Sequence, residues 1–387
     1  MTKPVNPLGE LSPDVFLRDY WQKKPLVIKQ AFPGFESPIT AEELAGLSCE
    51  AGVDSRIVIE KGGEHPWQAI YGPMSDDIFA KLPETHWTLL VNDVEKHIPA
   101  LAWVVDRFRF IPEWRIDDLM VSYAPVGGSV GPHHDQYDTF ILQAQGQRRW
   151  QIHTREVAAD NQVAGADLRI HKNFVAEHEW LLEPGDMIYI PPGVSHYGVA
   201  TDDCLSFSIG FRAATHAEML DSFTACISEG LASELTWRDP PLEVQDQPNE
   251  ITPATVEAAR AVLEKYLKTD NPAFPAWFGR FISDTKADMT IENEGCFDDL
   301  AGLVAAHPAL FRSPASRFAF WRNGNDALLF IDGDDYRVSL AFAESLCTQR
   351  EVNTQILSGS MTACEAGLVL DLYNSGKLVP QPRPVGL

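Results

Sequence analysis

The sequence predicts an α+β protein whose central part is an antiparallel β-barrel or double-sheet roll. From about residue 100 to Phe211, short β-rich runs alternate with turns that contain Gly, Pro and Asp, a pattern typical of such barrels. Segments with helical spacing of apolar residues lie before and after this region. With 387 residues the chain is long for one hydrophobic core, so two or three domains are expected.

The N-terminal hundred residues are predicted to form short helices and strands that precede the barrel. Ser12, followed by proline, is a helix N-cap, and Thr40 with Glu43 forms a capping box at the start of a second helix. Strands are predicted at 26–28, 56–60 and 87–91, and a helix at 93–108.

The barrel region contains a candidate metal site around His133, His134 and Asp135. Side chains alternate along a strand, so His133 and Asp135 are predicted to share one face while His134 points the other way. A third ligand is available in His196, which follows a Pro-Pro-Gly turn. Two histidines and one carboxylate, with metal positions left open, form the facial triad of non-haem Fe(II) oxygenases.

The spacing around these ligands resembles the two cupin motifs, in the right order and at a plausible separation. Gly127 precedes His133 by six positions in the first motif, and Gly185 precedes His196 by eleven in the second. The glutamate that many cupins carry after the first motif is absent here, which leaves room for a bidentate co-substrate. The alternative is a metal-free barrel with core histidines.

An oxygenase that uses 2-oxoglutarate needs a cation for the far carboxylate of that co-substrate. Arg148 and Arg149 follow Gly146 on a predicted barrel strand, and a guanidinium can pair bidentately with a carboxylate. Neighbouring residues of a strand face opposite ways, so only one of the two is expected to point inward. Strand parity across the turn leaves open which one.

The remaining sequence predicts a helical region and a small C-terminal α+β module. Helices are expected at 217–235, 252–267 and 276–282, and this block is either a dimer interface or a subdomain packed within the chain. Beyond residue 285, an Asn-Gly-Asn hairpin turn and further strands and helices indicate a winged-helix-like module. Its 8 basic and 13 acidic residues argue against DNA binding.

Composition limits the partners and the compartment. The chain has 31 basic and 55 acidic residues, which give a formal net charge of −24. This charge disfavours binding to nucleic acid and favours a basic partner. The alternative is that the negative charge only keeps the protein soluble. Six cysteines are scattered without a Cys-x-x-Cys pair, and residues 1–11 lack the apolar segment of a signal peptide. No apolar run is long enough for a membrane span. A cytoplasmic protein is expected.

Taken together, these residues closely resemble the bacterial JmjC-type ribosomal oxygenases. The resemblance is strong over most of the first 212 residues, and the later segments match the layout of the family more than its motifs. The matching runs are YWQKKP at 20–25, WRIDDLM at 114–120, GPHHDQYD at 131–138, RRW at 148–150, EPGD at 183–186, YIPP at 189–192, His196 and SIGFR at 208–212.

This resemblance implies a double-stranded β-helix barrel of the cupin and JmjC type in residues 1–212, with its core from about 100. It further implies a helical dimerisation region at 213–284 and a winged-helix-like domain at 285–387. The implied activity is Fe(II)- and 2-oxoglutarate-dependent hydroxylation, with dioxygen, of the β-carbon of an arginine. The implied substrate is a basic protein of the large ribosomal subunit, the L-sixteen protein, and the enzyme is expected to be a homodimer.

The resemblance also implies roles for individual residues. The family's iron ligands match His133, Asp135 and His196, the arginine for 2-oxoglutarate matches Arg148, and a hydroxyl for the co-substrate matches Ser122. The substrate arginine is expected to contact Asp118, Tyr137 and Ser208. His134 stands where the family often has an apolar residue, and no role is assigned to it.

Three other functions remain open on the sequence. One is a JmjC-type hydroxylase or demethylase of another basic protein, which the barrel motifs hardly separate from the first. The second is a non-catalytic cupin binding module, against which the complete triad and Arg148 argue. The third is a DNA-binding regulator, suggested by the possible winged helix and opposed by the negative charge.

Overall fold

The structure is a computed structural model that describes residues 6–62, 67–155, 161–163, 169–268, 271–285, 291–354 and 361–380. Contacts within the chain define two compact units. The barrel unit lies within 1–213, 289–316 and 350–387, and the helical unit lies within 214–288 and 317–349. These contacts divide the segment 285–387, predicted as one domain, between the two units. The three-domain division with boundaries after 212 and 284 stays a prediction.

Two antiparallel sheets form the centre of the barrel unit. Their strands are β1 Leu26–Ile28, β2 Ser55–Glu60, β3 Trp67–Tyr71, β4 Trp87–Val91, β5 Ile116–Ala124, β6 Thr139–Gln145, β7 Arg148–His153, β8 His178–Leu182, β9 Met187–Ile190, β10 Ser195–Ala200 and β11 Cys204–Phe211. The larger sheet has the order β1-β9-β6-β11-β5-β4-β2-β3, and the smaller has the order β10-β7-β8. The β-rich region predicted before Phe211 is therefore confirmed.

The eight-stranded sheet has two different faces because side chains alternate along each strand. One face, here called the outer face, carries Phe140 and Tyr189, which belong to a large apolar cluster with the N-terminal helices. The opposite face, here called the inner face, carries Ile141 and Ile188, which pack with Trp150 of the smaller sheet. The inner face thus looks into the space between the two sheets.

The N-terminal helices cover the outer face and begin where the capping residues predict. Helix α1 spans Pro13–Asp19 and helix α2 spans Ala41–Ser48. Ser12 caps the first helix, and Thr40 and Glu43 make both hydrogen bonds of a capping box at the second. Phe16 of α1 is fully buried, and its ring packs edge-on against Tyr189 with centroids 4.9 Å apart. Capping and aromatic packing together fix these helices on the sheet.

One local prediction in this unit is wrong, and two short elements were not predicted. The helix expected at 93–108 is broken into α4 Val94–His97, a 3₁₀ turn Pro99–Leu101 and α5 Ala102–Asp106. Pro99 explains the break, because proline lacks the N–H that a continuous helix needs and restricts the residue before it. The sequence also missed the edge strand β3 and the short helix α3, Asp76–Phe79.

The C-terminal parts of the barrel unit form a small sheet with two helices. The elements are the helices Leu300–Ala306 and Ala363–Asn374 and the strands Ala309–Arg312, Glu351–Asn353 and Leu378–Val379. Ion pairs tie this sheet to the segment before β5: Arg312 binds Glu113 at 3.0 Å, and Arg350 binds Asp106 at 2.7 Å. These pairs hold the distant segments 291–316 and 350–380 within the barrel unit.

The helical unit combines three helices with a three-stranded meander and a fourth helix. Its helices are His216–Glu229, Pro253–Tyr266, Phe274–Ser283 and Leu340–Cys347, and its strands are Phe318–Asn323, Asp326–Ile331 and Asp334–Ser339. The predicted hairpin is confirmed, with Asn323 opposite Asp326 across a two-residue turn. The first helix ends at Glu229, with Gly230 as its C-cap, earlier than the predicted 235.

Among the described residues, no helix is both long enough and apolar enough to cross a membrane.

Candidate active site

The structure brings His133, Asp135 and His196 together at one end of the space between the sheets. The Asp135 Oδ2 atom lies 3.8 Å from Nε2 of His133 and 3.6 Å from Nε2 of His196. The ligand atoms of the three residues all lie within 4.8 Å of one another, and within the described chain no other group of histidine, cysteine and acidic side chains meets this criterion. The arrangement therefore offers one carboxylate and two imidazoles to a single ion.

Backbone hydrogen bonds place the three ligands. His133 and His196 form an isolated antiparallel bridge, with N–H to carbonyl distances of 3.0 and 2.8 Å in the two directions. The N–H of Gly193, in the Pro-Pro-Gly turn, donates to the carbonyl of Asp135 at 2.7 Å. Gly193 has a φ of 76°, which a residue with a side chain rarely adopts. The turn before His196 thus also fixes the backbone of Asp135.

The two histidines are held with Nε2 free for a metal. Nδ1 of His133 lies 2.9 Å from the carbonyl of Gly131, and Nδ1 of His196 lies 3.0 Å from the carbonyl of Val194. A carbonyl can only accept, so each Nδ1 carries the proton and each Nε2 keeps its lone pair. Burial, with the charge of His133 adding, lowers the pKa of His196 to about 4. His196 is therefore neutral at physiological pH.

His134 points away from this group, as predicted. Its Nδ1 lies 2.9 Å from Nε2 of His171, and the N–H of His171 donates to the carbonyl of Pro132 at 2.8 Å. These two bonds attach the ligand-bearing segment to the segment around His171. The prediction assumed that residues 133–135 form a continuous strand. In the structure, His133 lies in a single β-bridge and Asp135 lies outside any named strand.

Strand β7 answers the question that the sequence left open about the two arginines. Arg148 is buried, with 6% of its surface exposed, and follows the inward direction of Trp150. Its Nε and Nη2 atoms are shielded from solvent and have no hydrogen-bond partner in the described chain. Arg149 points outward, with 54% of its side chain exposed, and pairs with Glu179. A buried guanidinium without a partner is costly unless a ligand completes it.

Other buried polar side chains face the space between the two sheets. Ser122 on β5 is 3% exposed. Thr88 on β4 and Trp150 on β7 each bury a polar atom, Oγ1 and Nε1, without a hydrogen-bond partner in the described chain. The Trp150 ring lies 5.9 Å from the His196 ring, measured between centroids. This interior is therefore both enclosed and equipped to hydrogen-bond a small polar molecule.

Two of the residues predicted to bind a substrate arginine lie on the inner face of the larger sheet. Asp118 and Ser208 lie on the neighbouring strands β5 and β11, where Ser208 pairs with Met120. Gly210 allows Asp118 to come close, because a Cβ there would lie 3.0 Å from its Oδ1. Tyr137 is 43% exposed, and burial together with the charges of Asp135 and Asp118 raises the pKa of its phenol.

Electrostatics make this part of the inner face favourable for a cation. Burial, with the charges of Asp93 and Asp117 adding, raises the pKa of the Asp118 carboxyl to about 6. Burial likewise raises the pKa of Glu95 to about 8, and its Oε2 accepts the N–H of Leu119 at 2.9 Å. Sequence reasoning missed Asp93 and Glu95. The signal was present, since two acidic residues in Asn-Asp-Val-Glu-Lys directly follow the predicted apolar strand at 87–91.

Comparison with known proteins identifies the family. The family model for the JmjC domain matches residues 103–219. The ribosomal protein uL16 3-hydroxylase of Escherichia coli is 37% identical over 276 residues, 71% of this chain and 72% of that protein. A probable ribosomal oxygenase of Haemophilus influenzae is 32% identical over 337 residues, 84% of this chain and 82% of that protein.

Solved structures extend the similarity to almost the whole chain. The X-ray structure of E. coli ycfD matches with a TM-score of 0.83 at 30% identity, covering 95% of this chain and 98% of that one. A structure of YcfD, a ribosomal oxygenase from E. coli, in complex with cobalt and 2-oxoglutarate matches with a TM-score of 0.80 at 31% identity. The cupin-type barrel is thereby confirmed, and the chain belongs to the JmjC-domain ribosomal oxygenases.

Proposed function

We propose that this protein is an Fe(II)- and 2-oxoglutarate-dependent oxygenase that hydroxylates the β-carbon of an arginine in ribosomal protein uL16. The observation that carries the proposal is that the space between the sheets contains two imidazoles and a carboxylate that can share one ion, together with a buried guanidinium whose Nε and Nη2 have no hydrogen-bond partner in the described chain. The relative from E. coli that is named for this reaction supplies the substrate and the carbon.

The donor set fits Fe(II). His133, Asp135 and His196 offer two nitrogens and a carboxylate oxygen, a combination that leaves positions open on the metal for a co-substrate. When bound, iron with 2-oxoglutarate and dioxygen supplies the oxidising power that places a hydroxyl group on an unactivated carbon. The carbonyls of Gly131 and Val194 keep the proton on Nδ1 of each histidine, so Nε2 is ready to coordinate.

Arg148 is proposed to bind the far carboxylate of 2-oxoglutarate, and Ser122 to add a hydroxyl. The support is that Nε and Nη2 of Arg148 are buried without a partner in the described chain, and that Ser122 is buried on the facing sheet. A planar guanidinium binds a carboxylate through two parallel hydrogen bonds, which fixes orientation as well as charge. The surrounding apolar residues Ile141 and Ile188 exclude water from this end.

Asp118, Tyr137 and Ser208 are proposed to bind the guanidinium of the substrate arginine. The Asp118 carboxylate supplies the opposite charge, and the two hydroxyls can accept from the remaining N–H groups. The exposure of Tyr137, 43% of its surface, supports a role at the entrance for the incoming side chain, and the charges of Asp135 and Asp118 both raise the pKa of its phenol. The net charge of −24 favours approach of a basic ribosomal protein over nucleic acid.

The test is anaerobic loading with Fe(II) and 2-oxoglutarate, then exposure to air with arginine-containing uL16 peptides. Mass spectrometry should show a gain of about 16 mass units on an arginine, from one added oxygen atom. The gain should require 2-oxoglutarate and be absent in His196→Ala. If succinate forms and no peptide changes, the protein is an oxygenase but uL16 is not its substrate. If a folded, metal-bound protein forms neither succinate nor hydroxylated peptide, the proposed enzymatic activity is rejected.

The layout of the chain leads to a second part of the proposal, a homodimer formed through the helical region 213–284. The described part of this region exposes many large apolar side chains, which is unusual for a surface in contact with water. They are Leu220, Leu231, Leu235, Trp237, Leu242, Val244, Ile251, Val256, Val262, Leu263 and Leu267. Light scattering after size exclusion should give twice the mass of one chain, and a monomer at micromolar concentration would reject the dimer.

We also propose that residues 285–387 form a winged-helix-like domain that contacts protein and not DNA. In addition, we propose that the protein is cytoplasmic. The excess of acidic residues in this domain supports the first point. A gel shift that weakens with salt would contradict it.

A further inference from the structure

Asp118 lies in a corner that also contains a cation of the protein itself. The N–H of Asp93 donates to Oδ2 of Asp118 at 3.3 Å. The side chain of the same Asp93 forms an ion pair with Lys96, three residues further on. Asp93 thus touches Asp118 through its backbone and Lys96 through its carboxylate, and it stands between the two.

Lys96 is close enough to act on Asp118. Both groups contact Asp93, and the charge of Lys96 opposes the rise in pKa that burial causes at Asp118 and at Glu95. The side chain of Lys96 is only 12% exposed, so water screens its charge little. An ammonium on a flexible four-carbon stem can move to the nearest carboxylate that is not already paired.

Glu95 is a poor alternative partner for this lysine. Burial raises the pKa of Glu95 to about 8, so the group is mostly uncharged at neutral pH. Its Oε2 accepts the N–H of Leu119, just as Oδ2 of Asp118 accepts the N–H of Asp93, so the difference between the two groups lies in their charge. Asp118, with a pKa of about 6, is mostly charged at neutral pH and would attract Lys96 more strongly.

We propose that Asp93 is a positioning residue that holds Lys96 away from Asp118, so that the Asp118 carboxylate stays available to the guanidinium of the substrate arginine. This inference rests on the proposed function. In the absence of the Asp93 carboxylate, Lys96 becomes an internal competitor for the substrate. The competition weakens substrate binding and leaves the later chemical step unchanged, because neither residue belongs to the group proposed to hold iron.

Three variants test the proposal: Asp93→Asn, Lys96→Met and the double variant. Asparagine tolerates the left-handed backbone of residue 93, where φ is 55°, and keeps the N–H that binds Asp118. Methionine keeps the length of the lysine stem without its charge. Binding of a fluorescein-labelled uL16 peptide is read by fluorescence anisotropy, and kcat and KM are read from succinate release.

Asp93→Asn should raise both the Kd and the KM of the peptide about tenfold, the order expected when a charge pair in a shielded pocket is lost. Its kcat should stay within about twofold, since the interaction acts on substrate binding alone. Lys96→Met should bind at least as tightly as the wild type, and the double variant should recover wild-type affinity. A purely structural role of Asp93 predicts no such recovery.

The outcomes separate this inference from the function on which it rests. Wild-type turnover of the peptide with unchanged binding in Asp93→Asn would overturn the inference alone. A double variant as weak as Asp93→Asn would overturn it as well, because the lysine would then not be the competitor. A wild type that neither binds nor hydroxylates any uL16 peptide would overturn the proposed substrate and this inference together.

Discussion

The two faces of the eight-stranded sheet are built from the same strands and differ in how their side chains are satisfied. On the outer face, Phe140, Phe207 and Tyr189 are fully buried in a continuous apolar cluster. The inner face carries Thr88, and the facing strand β7 carries Arg148; both bury polar atoms that find no partner in the described chain. The side chains of the outer face are satisfied by packing on one another, whereas the buried polar atoms on the inner side need ligands as hydrogen-bond partners.

This difference shows where the fold places stability and where it places chemistry. Burial of apolar area on the outer face stabilises the protein by about 25 cal/mol per Å². Each buried polar atom left unpaired on the inner side costs about 1–3 kcal/mol. Alternate residues of one strand belong to different faces, so the same strands carry both kinds of side chain. The apolar burial on the outer face offsets the cost on the inner side. Substitutions on the two faces should therefore have separable effects.

The largest effect is expected at the ligand group. Asp135→Ala or His133→Ala should lower turnover by at least about 1,000-fold, because outer-shell changes alone already cost up to about 100-fold. The unfolding midpoint in denaturant should stay close to that of the wild type, since both side chains are partly exposed and lie outside the apolar cluster. Succinate release measures turnover, and circular dichroism measures the unfolding midpoint. Full turnover in either variant would refute the ligand assignment.

The opposite result is expected from the outer face. Phe140→Ala should lower the free energy of unfolding by about 3–5 kcal/mol, the usual cost of truncating a buried phenylalanine. Phe140 packs on Phe108 and on Tyr189, with ring centroids 4.8 and 4.9 Å apart. Urea denaturation measures the loss.

The matched control for this variant is its affinity for 2-oxoglutarate at a temperature where the protein is folded. That affinity should change less than about twofold, because distant sites are normally independent. A large loss of affinity for 2-oxoglutarate would mean that the two faces are coupled and that their roles cannot be separated.

Arg148 and Arg149 sharpen the comparison within one strand. Arg148→Ala should raise the 2-oxoglutarate concentration needed for half-maximal turnover by about 10–100-fold, as expected for a charged hydrogen bond worth about 1.5–3 kcal/mol. Arg149→Ala should change it less than about twofold, because its pair with Glu179 is solvent-exposed. Titration of succinate release against 2-oxoglutarate gives both values. The reverse ranking would assign the co-substrate to the other arginine.

The sequence predicted those features that depend on local spacing. The capping residues Ser12 and Thr40 mark the start of α1 and α2, and the cupin-like spacing located His133, Asp135 and His196. In each case the signal lies in a few neighbouring residues whose chemistry allows few structures.

Features that depend on distant packing could not be predicted in this way. Whether Arg148 or Arg149 points inward depends on the register of β7 with β8 and β10, which only the folded sheet sets. The attachment of segments 291–316 and 350–380 to the barrel unit depends on ion pairs such as Arg350 with Asp106, 244 residues apart. The fragmented helix at 93–108 was the exception, since Pro99 was visible in the sequence.

Asp118 extends the comparison to pH, with the smallest expected effect. Burial holds its pKa at about 6, far above that of an exposed aspartate, and only the charged carboxylate attracts a guanidinium. As the pH falls through 6, Asp118 takes up a proton, and affinity for the arginine peptide should fall about tenfold per pH unit below that point. Glu95, with a pKa near 8, stays mostly protonated between pH 5 and 7 and adds little. Anisotropy measured across this range should show the fall in the wild type, while Asp118→Asn binds weakly at every pH. A flat wild-type profile would mean that Asp118 is charged throughout, or that another group binds the arginine.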